Sequence, residues 1–223
     1  MDRNNHFDWP QWLKKENVDI NVLLSMHKQD LTNLQGQVDL VVGGPPCQGF
    51  SMAGQRVEDD MRNMLCHSYI DFIDLVRPKA LFFENVLGFT VAFNKKKNKD
   101  AIPYSEIVLK ALKKLGYSVS GKLIDVSEYG VPQKRKRYII IGMLEGSPET
   151  FFETLSTGRS KFYADNKLTS SVNMKQAIGD LCKSNDTIPC PDSKSFNSGV
   201  YGKASSRYQR FVRLGISNNA VPD

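Results

Sequence analysis

The junction between Val42 and Gly43 constrains this chain most. Val38-Asp39-Leu40-Val41-Val42 is a short apolar run of the kind a buried strand makes, and it runs straight into Gly43-Gly44-Pro45-Pro46. That stretch can be neither helix nor central strand, because two prolines remove two backbone donors, so the chain must turn out of its sheet there. Cys47 then falls on a loop at a strand end. A small buried position is cysteine's usual fate, but it suits a strand or helix interior better than a Pro-Pro-Cys-Gln-Gly turn. Cys47 is therefore the candidate nucleophile.

The surrounding pattern predicts the architecture. Val18-Asp19-Ile20 reads as a strand end, and Asn21 to Leu34 carries Leu23, Met26, Leu31 and Leu34 at helical spacing before Gly36. Leu65, Tyr69, Phe72, Ile73 and Val76 form a second helical stripe, ended by Pro78, and Ala80-Leu81-Phe82-Phe83 follows as a strand buried on both faces. Ser105 is the expected N-cap of a third helix bearing Ile107, Val108, Ala111, Leu112 and Leu115, with Gly116 as its left-handed stop. Tyr117 to Leu123 and Tyr138 to Met143 read as strands joined without a helix. Strand and helix alternate at crossover spacing, so the expected fold class is α/β: a doubly wound, mostly parallel sheet with an antiparallel edge hairpin. From about Gly146 the composition shifts to Ser, Thr, Asn, Lys and Pro, with shorter helices expected at Met174 to Leu181 and Ser206 to Leu214. Residues 1–146 thus form one domain and 147–223 the start of a looser region.

Composition excludes several classes. The 223 residues are 40% hydrophobic and 24% charged, which is ordinary globular usage rather than a disordered or fibrous one. No apolar run approaches a membrane span, and the polar opening is no secretory signal, so a cytoplasmic protein is expected. Four cysteines without Cys-x-x-Cys spacing and three histidines indicate neither a disulfide framework nor a metal site. A net charge of +6 mildly favours an anionic partner such as nucleic acid. The Asn94 to Lys99 patch is most simply a solvated loop.

Open parallel sheets bind ligands beyond the carboxyl ends of their strands, and two further places there could carry chemistry. Glu84-Asn85-Val86 sets a carboxylate at the lip of an apolar sheet, where desolvation favours the protonated form of such a group and lets it donate. Gln133-Lys134-Arg135-Lys136-Arg137 alternates Gln, Arg and Arg, which in extended geometry point to one face. Arginine's fixed fork suits phosphate oxygens and base carbonyls.

Together these pieces resemble the cytosine-5 DNA methyltransferases of bacterial restriction-modification systems and their eukaryotic relatives. The resemblance rests on GGPPCQGFS at Gly43 to Ser51, the Arg62-Asn63 to Leu65 helix start, ENV at Glu84 to Val86 and QxRxR at Gln133 to Arg137, and it covers roughly residues 18 to 143. It implies a methyltransferase of the S-adenosylmethionine-dependent fold, acting on double-stranded DNA. The implied roles are a Cys47 thiolate that attacks C6 of a flipped-out cytosine, a hydrogen bond from Glu84 to N3, Arg137 at O2, and Arg135 steadying the catalytic loop or a phosphate. Asp19 and Ile20 are implied at the adenine of S-adenosyl-L-methionine, with Pro46 and Leu65 lining the same pocket and Asp30 the alternative to Asp19. Gln48, Ser51, Asn85 and Gln133 are implied on the substrate side. Asn173 to Leu181 and Ser206 to Arg213 resemble segments leading into target recognition.

The chain departs from that family at its front. None of its 16 glycines is separated from another by a single residue, so the glycine-rich cofactor loop is missing, and 17 residues before Val18 leave no room for the first two strand-and-helix units. The expectation is an internal fragment, a split-gene half or a truncated reading frame, incomplete at its N-terminus and in need of a complementing methyltransferase fragment. The competing expectations are an RNA cytosine-5 methyltransferase and a non-catalytic nucleic-acid-binding remnant. A thiol-redox protein ranks last, since no second cysteine is placed to resolve a disulfide.

Overall fold

The computed structural model describes residues 9–46, 64–92, 101–169, 172–181, 186–190, 192–216 and 220. Cys47, Gln48, Ser51, Arg62-Asn63 and the Asn94 to Lys99 patch lie outside the described residues. The elements run α1 (Ile20–Met26), α2 (Lys28–Thr32), β1 (Leu40–Gly43), α3 (Met64–Val76), β2 (Ala80–Val86), α4 (Tyr104–Lys114), β3 (Ser118–Asp125) and β4 (Lys136–Met143). Then follow α5 (Glu149–Asn166), α6 (Met174–Ile178), β5 (Thr187–Pro189), β6 (Asn197–Gly199) and α7 (Arg207–Val212). Single 3-10 turns occupy Leu87–Thr90 and Val126–Tyr129. Two compact units result: Met1–Ile124 with Arg137–Phe151, and Asp125–Lys136 with Phe152–Asp223. The division thus falls after Phe151 rather than at Gly146, and the β3–β4 connection groups with the second unit.

The first unit holds a four-stranded sheet in the order β1-β2-β4-β3. β1 and β2, joined through α3, pair in parallel, from Leu40 opposite Ala80 to Gly43 opposite Phe83. β4 runs antiparallel to β2, from Ala80 opposite Met143 to Val86 opposite Arg137. The sheet is therefore mixed, and of the two last strands of the unit it is β3 that takes the edge. β2 shows why the order works: Leu81 and Phe83 are fully buried on one face, with Asn85 beside them, while Ala80, Phe82, Glu84 and Val86 on the other face are half-buried. The buried side packs against Tyr69 and Ile73 of α3, Val108 and Leu112 of α4, Phe89, Tyr117 and Ile140.

Local expectations fared differently according to what decides them. Gly116 has φ +89° after α4, as a left-handed stop requires. The third helix, however, begins at Tyr104 with Pro103 as its N-cap residue, and Ser105 lies buried within the first turn. Val18-Asp19-Ile20 is not a strand end, because Asp19 is the N-cap of α1, its carboxylate accepting from Asn21 N–H at 2.8 Å. The helix expected from Asn21 to Leu34 is broken at His27 into α1 and α2.

In the second unit the looser composition conceals the 18-residue α5. Arg159 of that helix pairs with Glu128 at 2.6 Å and lies over the Tyr129 ring, and Tyr163 donates to Glu128 O at 2.9 Å. These contacts pin the connection that leads to β4. α6 and α7 each open on a reciprocal capping box, Asn173 with Gln176 and Ser206 with Gln209. Buried Gln209 bridges the two helices by donating to Lys175 O at 3.1 Å, and a buried Asp180–Arg213 pair at 2.8 Å closes the same unit.

One strained residue ties α3 to α4. Arg77, with φ +49°, donates through Nη1 to Leu115 O at 2.5 Å and stacks over Tyr117, whose hydroxyl donates to Pro78 O at 2.7 Å. Deleting the side chain removes a charge-assisted hydrogen bond and a cation–π contact, an expected loss of about 1–3 kcal/mol. Arg77→Gly relieves the left-handed backbone and Arg77→Ala does not. Urea denaturation should therefore find the glycine variant the more stable of the two, although both delete the same contacts.

Candidate functional site

Sheet register builds the central pair of the site. Side chains alternate across a strand, so Glu84 and Val86 share one face of β2, and Arg137, opposite Val86 on β4, shares that face too. The two residues are diagonal neighbours, within reach of one long side chain. Arg137 Nε accordingly donates to Glu84 Oε1. The guanidinium is the more enclosed partner, with 17% of its side chain exposed against 36% for the carboxylate.

β1 brings its terminal turn to the same place. Its pairing ends at Gly43 opposite Phe83, so Gly44 is next to Glu84, and a Cβ at Gly44 would lie 3.2 Å from Glu84 Oε2. Cys47 follows three residues later in the chain. Gly43 is more crowded still, since a Cβ there would stand 2.3 Å from the Tyr69 ring. Both glycines are needed for close approach, one to a carboxylate and one to an aromatic ring.

A cavity of about 450 Å³ opens beside this turn. Ile20, Val41, Leu65 and Phe72 line it, together with Tyr69 and the Val42 to Pro46 segment. Tyr69 is the one polar side chain among them, and its hydroxyl is committed to Phe82 O at 3.2 Å. Burial pushes the Tyr69 phenol well above its ordinary range. The walls thus present apolar surface and main-chain polar groups, without a charged side chain.

The predicted site residues separate accordingly. Ile20, Pro46 and Leu65 come together in the cavity, and Asp19 caps the helix that Ile20 begins. Asp30 lies elsewhere, on α2, 3.1 Å from His27. Glu84 and Arg137 meet. Asn85 is 1% exposed on the opposite face of β2; its Oδ1 accepts from Val86 N–H at 2.9 Å, and its Nδ2 has no partner among the described residues. Gln133 and Arg135 are exposed in the connection before β4, which begins only at Lys136, so the single strand face expected for Gln133, Arg135 and Arg137 is not formed. Phe72 and Tyr69, read only as members of the α3 apolar stripe, also line the cavity. The available signal was their spacing from Leu65, since positions seven apart lie on one helical face. Among the described residues no group of His, Cys, Asp and Glu could hold a metal ion, and no helix is long and apolar enough to cross a membrane.

A mixed α/β sheet that gathers a glycine-proline turn, a cavity and a Glu–Arg pair at one strand end has the layout of a crevice-type ligand-binding domain. The sequence pattern of the C-5 cytosine-specific DNA methylases matches residues 11–215, and the chain belongs to that family. It is 43% identical over 197 residues to the Type II methyltransferase M.AgeI of Thalassovita gelatinovora, covering 83% of this chain and 44% of that protein. It is 33% identical over 186 residues to M.XorII of Xanthomonas oryzae pv. oryzae, covering 79% and 37%, and 32% identical over 169 residues to M.DdeI of Desulfomicrobium norvegicum, covering 72% and 38%. The chain therefore spans less than half the length of these relatives.

Two consequences can be measured. Gly43→Ala must displace the Tyr69 ring or the β1 end, and is expected to cost about 1–3 kcal/mol in urea denaturation. In the β3–β4 connection, the Ser127 hydroxyl and amide hold the Asp125 carboxyl below its ordinary range, with help from Lys136. A folded-state pKa lower than the unfolded one contributes stability that is complete above the unfolded value and is lost as pH falls through the folded one. Asp125→Asn should therefore flatten the stability profile between about pH 5 and pH 2 and leave its shape at neutral pH unchanged.

Proposed function

We propose that this chain carries the nucleophile and the base-holding pair of a DNA cytosine-5 methyltransferase. The observation that supports it best is the Glu84–Arg137 pair, seated by register beside Gly44 and so at the base of the turn that leads to Cys47. A carboxyl group and a guanidinium side by side match the N3 and O2 edge of cytosine: one donates a proton where negative charge develops, and the other donates to the carbonyl.

In this reading the Cys47 thiolate forms a bond to C6, the C5=C6 electron pair shifts toward C4, and the C4=N3 pair moves onto N3. A proton taken up from solvent as the base binds is shared between Glu84 and N3, and Arg137 holds O2. C5 is then an enamine carbon that would take the methyl group of S-adenosylmethionine, with S-adenosylhomocysteine as the leaving group. Transfer of the C5 proton to water and rupture of the sulfur–C6 bond restore the C5=C6 double bond and return the thiolate, and the proton at N3 is released to solvent. A soft sulfur nucleophile suits this conjugated ring carbon. Because C6 is shielded within a duplex, the base must be extruded, at a cost of a few kcal/mol that phosphate contacts offset. Thirteen Lys and Arg against eight Asp and Glu in the second unit, compared with seventeen against sixteen in the first, favour the second as the source of those contacts. Exposed Arg135, pinned in a connection braced by α5, suits that role; Gln133 stands beside it, and Gln48 and Ser51 flank the nucleophile in the chain. Buried Asn85 suits support from behind β2.

The cofactor fits this chain in part. The apolar cavity suits its purine, whereas the described lining offers no charged partner for its ammonium, carboxylate or sulfonium. We infer that a further β-strand, covalently continuous or supplied in trans, completes the domain on the outer edge of β1. β1 has β2 as its one neighbour among the described residues, and its Leu40 and Val42 are 54% and 66% exposed. A cytoplasmic setting follows from a DNA substrate in a bacterial modification system.

The test is covalent trapping on DNA containing 5-fluorocytosine, with S-adenosylmethionine, using the chain alone and beside a polypeptide bearing the glycine-rich front of a relative. A denaturant-resistant adduct is expected, absent in Cys47→Ser and formed at least about 100-fold more slowly in Glu84→Gln. No adduct in either setting would overturn the catalytic reading in favour of a binding remnant. Trapping on 5-fluorocytosine tRNA but not on DNA would move the substrate to RNA.

A further inference from the structure

Helix α5 buries Phe152 alone among its described residues, yet three of its side chains grip other elements of the second unit. Arg159 and Tyr163 are four positions apart, hence on one face, and both reach residue 128. The guanidinium pairs with the Glu128 carboxylate, and the hydroxyl donates to the Glu128 carbonyl. Phe162, beside them, meets the Phe211 ring of α7 edge-on with 5.6 Å between centroids, and a Cβ at Gly130 would lie 3.5 Å from the Phe162 ring. The β3–β4 connection is closed at its other end by its own backbone, since Val126 N–H donates to Arg135 O at 3.0 Å. The connection is thus held at two places, and exposed Arg135 sits at the second of them.

From this arrangement we propose that Arg159 is a positioning residue for nucleic acid: acting through Glu128, it holds the β3–β4 connection in the conformation that presents Arg135 to a phosphate. The inference rests on the methyltransferase reading above, which gives Arg135 that contact. Two features favour a positioning duty over a stabilising one. The ion pair is solvent-exposed, with 31% and 60% of the two side chains accessible, and such pairs add little to global stability. The grip also falls on a turn rather than on the core. Glu128 and Tyr129 end the single 3-10 turn Val126–Tyr129, which passes into Gly130 at φ +86°, and a segment so short has few other restraints. Arg159 reaches the carboxylate and lies over the Tyr129 ring at once, a pair of contacts that suits a planar guanidinium better than an ammonium.

The test follows the Val126 amide by hydrogen exchange, and the binding of a labelled DNA duplex across a salt series, for the full chain alone and beside the complementing polypeptide. Arg159→Ala is expected to speed Val126 exchange about 5- to 30-fold with an unchanged melting curve. It should also lower the slope of log affinity against log salt by about one, the share of a single phosphate contact. Glu128→Gln should lower that slope as well, although it removes a negative charge. Arg135→Ala should lose the same slope alone as it does together with Arg159→Ala. If Arg159 acted only through its charge, Glu128→Gln would instead strengthen binding; if Arg159 touched DNA itself, its loss would add to that of Arg135→Ala. Either result, or unaltered Val126 exchange in Arg159→Ala, would overturn the proposal and leave the methyltransferase reading intact. Duplex binding absent from the wild type in both settings would overturn the DNA reading itself, and the assignment of Arg159 with it.

Discussion

The antiparallel register between β2 and β4 is the constraint on which the site depends. It places Arg137 opposite Val86, and hence on the face that Glu84 occupies. A slip of one residue would exchange faces along the whole of β4. Arg137 would then be directed to the side where Leu81, Phe83 and Asn85 are buried, and Tyr138 would take its place beside Glu84. The register is held by more than backbone bonds. Gly121 makes room for Tyr138, since a Cβ there would lie 2.2 Å from the phenol oxygen, and Gly142 does the same for Leu81. Packing on the buried face thus specifies an ion pair on the other.

What the sequence revealed follows the reach of each signal. The Gly-Pro turn, the apolar strands and the α3 stripe are decided within a few residues, and β1, α3 and β2 lie where those signals put them. The position of β4 between β2 and β3 depends on long-range pairing, which no local pattern encodes. Asp19 shows how a short polar residue misleads, because it can end a strand or begin a helix, and here its carboxylate captures the Asn21 amide. α5 was hidden because Ser, Thr, Gly158 and Asn166 dilute its periodicity. It buries Phe152 alone among its described residues and is held by Arg159 and Tyr163 at Glu128. Such a helix is stabilised by specific contacts more than by an amphipathic face.

The candidate site was legible to a different depth. Ile20, Pro46 and Leu65 come from three distant parts of the sequence and share one cavity. Gln133, Arg135 and Arg137 fared otherwise, because alternation implies a shared face only within a strand, and the strand starts at Lys136. Pro132, one residue before Gln133, cannot donate a ladder hydrogen bond, which weighs against extending the strand backward. Only Arg137 is therefore fixed by sheet geometry, while Arg135 is carried by a connection whose anchor is Glu128.

The distribution of charge bears on how such a domain divides its labour. The first unit is nearly neutral in its Lys, Arg, Asp and Glu content, and the second holds nearly all of the positive excess. The two rings the proposed function would hold, a cytosine and a purine, are both uncharged, so an apolar cavity and one internally compensated ion pair suit them. A nucleic-acid backbone is polyanionic and is attracted by net charge acting over about a Debye length. If the excess were placed around the cavity, it would disfavour a cationic sulfonium there by simple repulsion. Under the proposed function, keeping the positive excess on residues other than those that line the cavity would let the chain attract a polyanion and admit a cationic cofactor without setting one against the other.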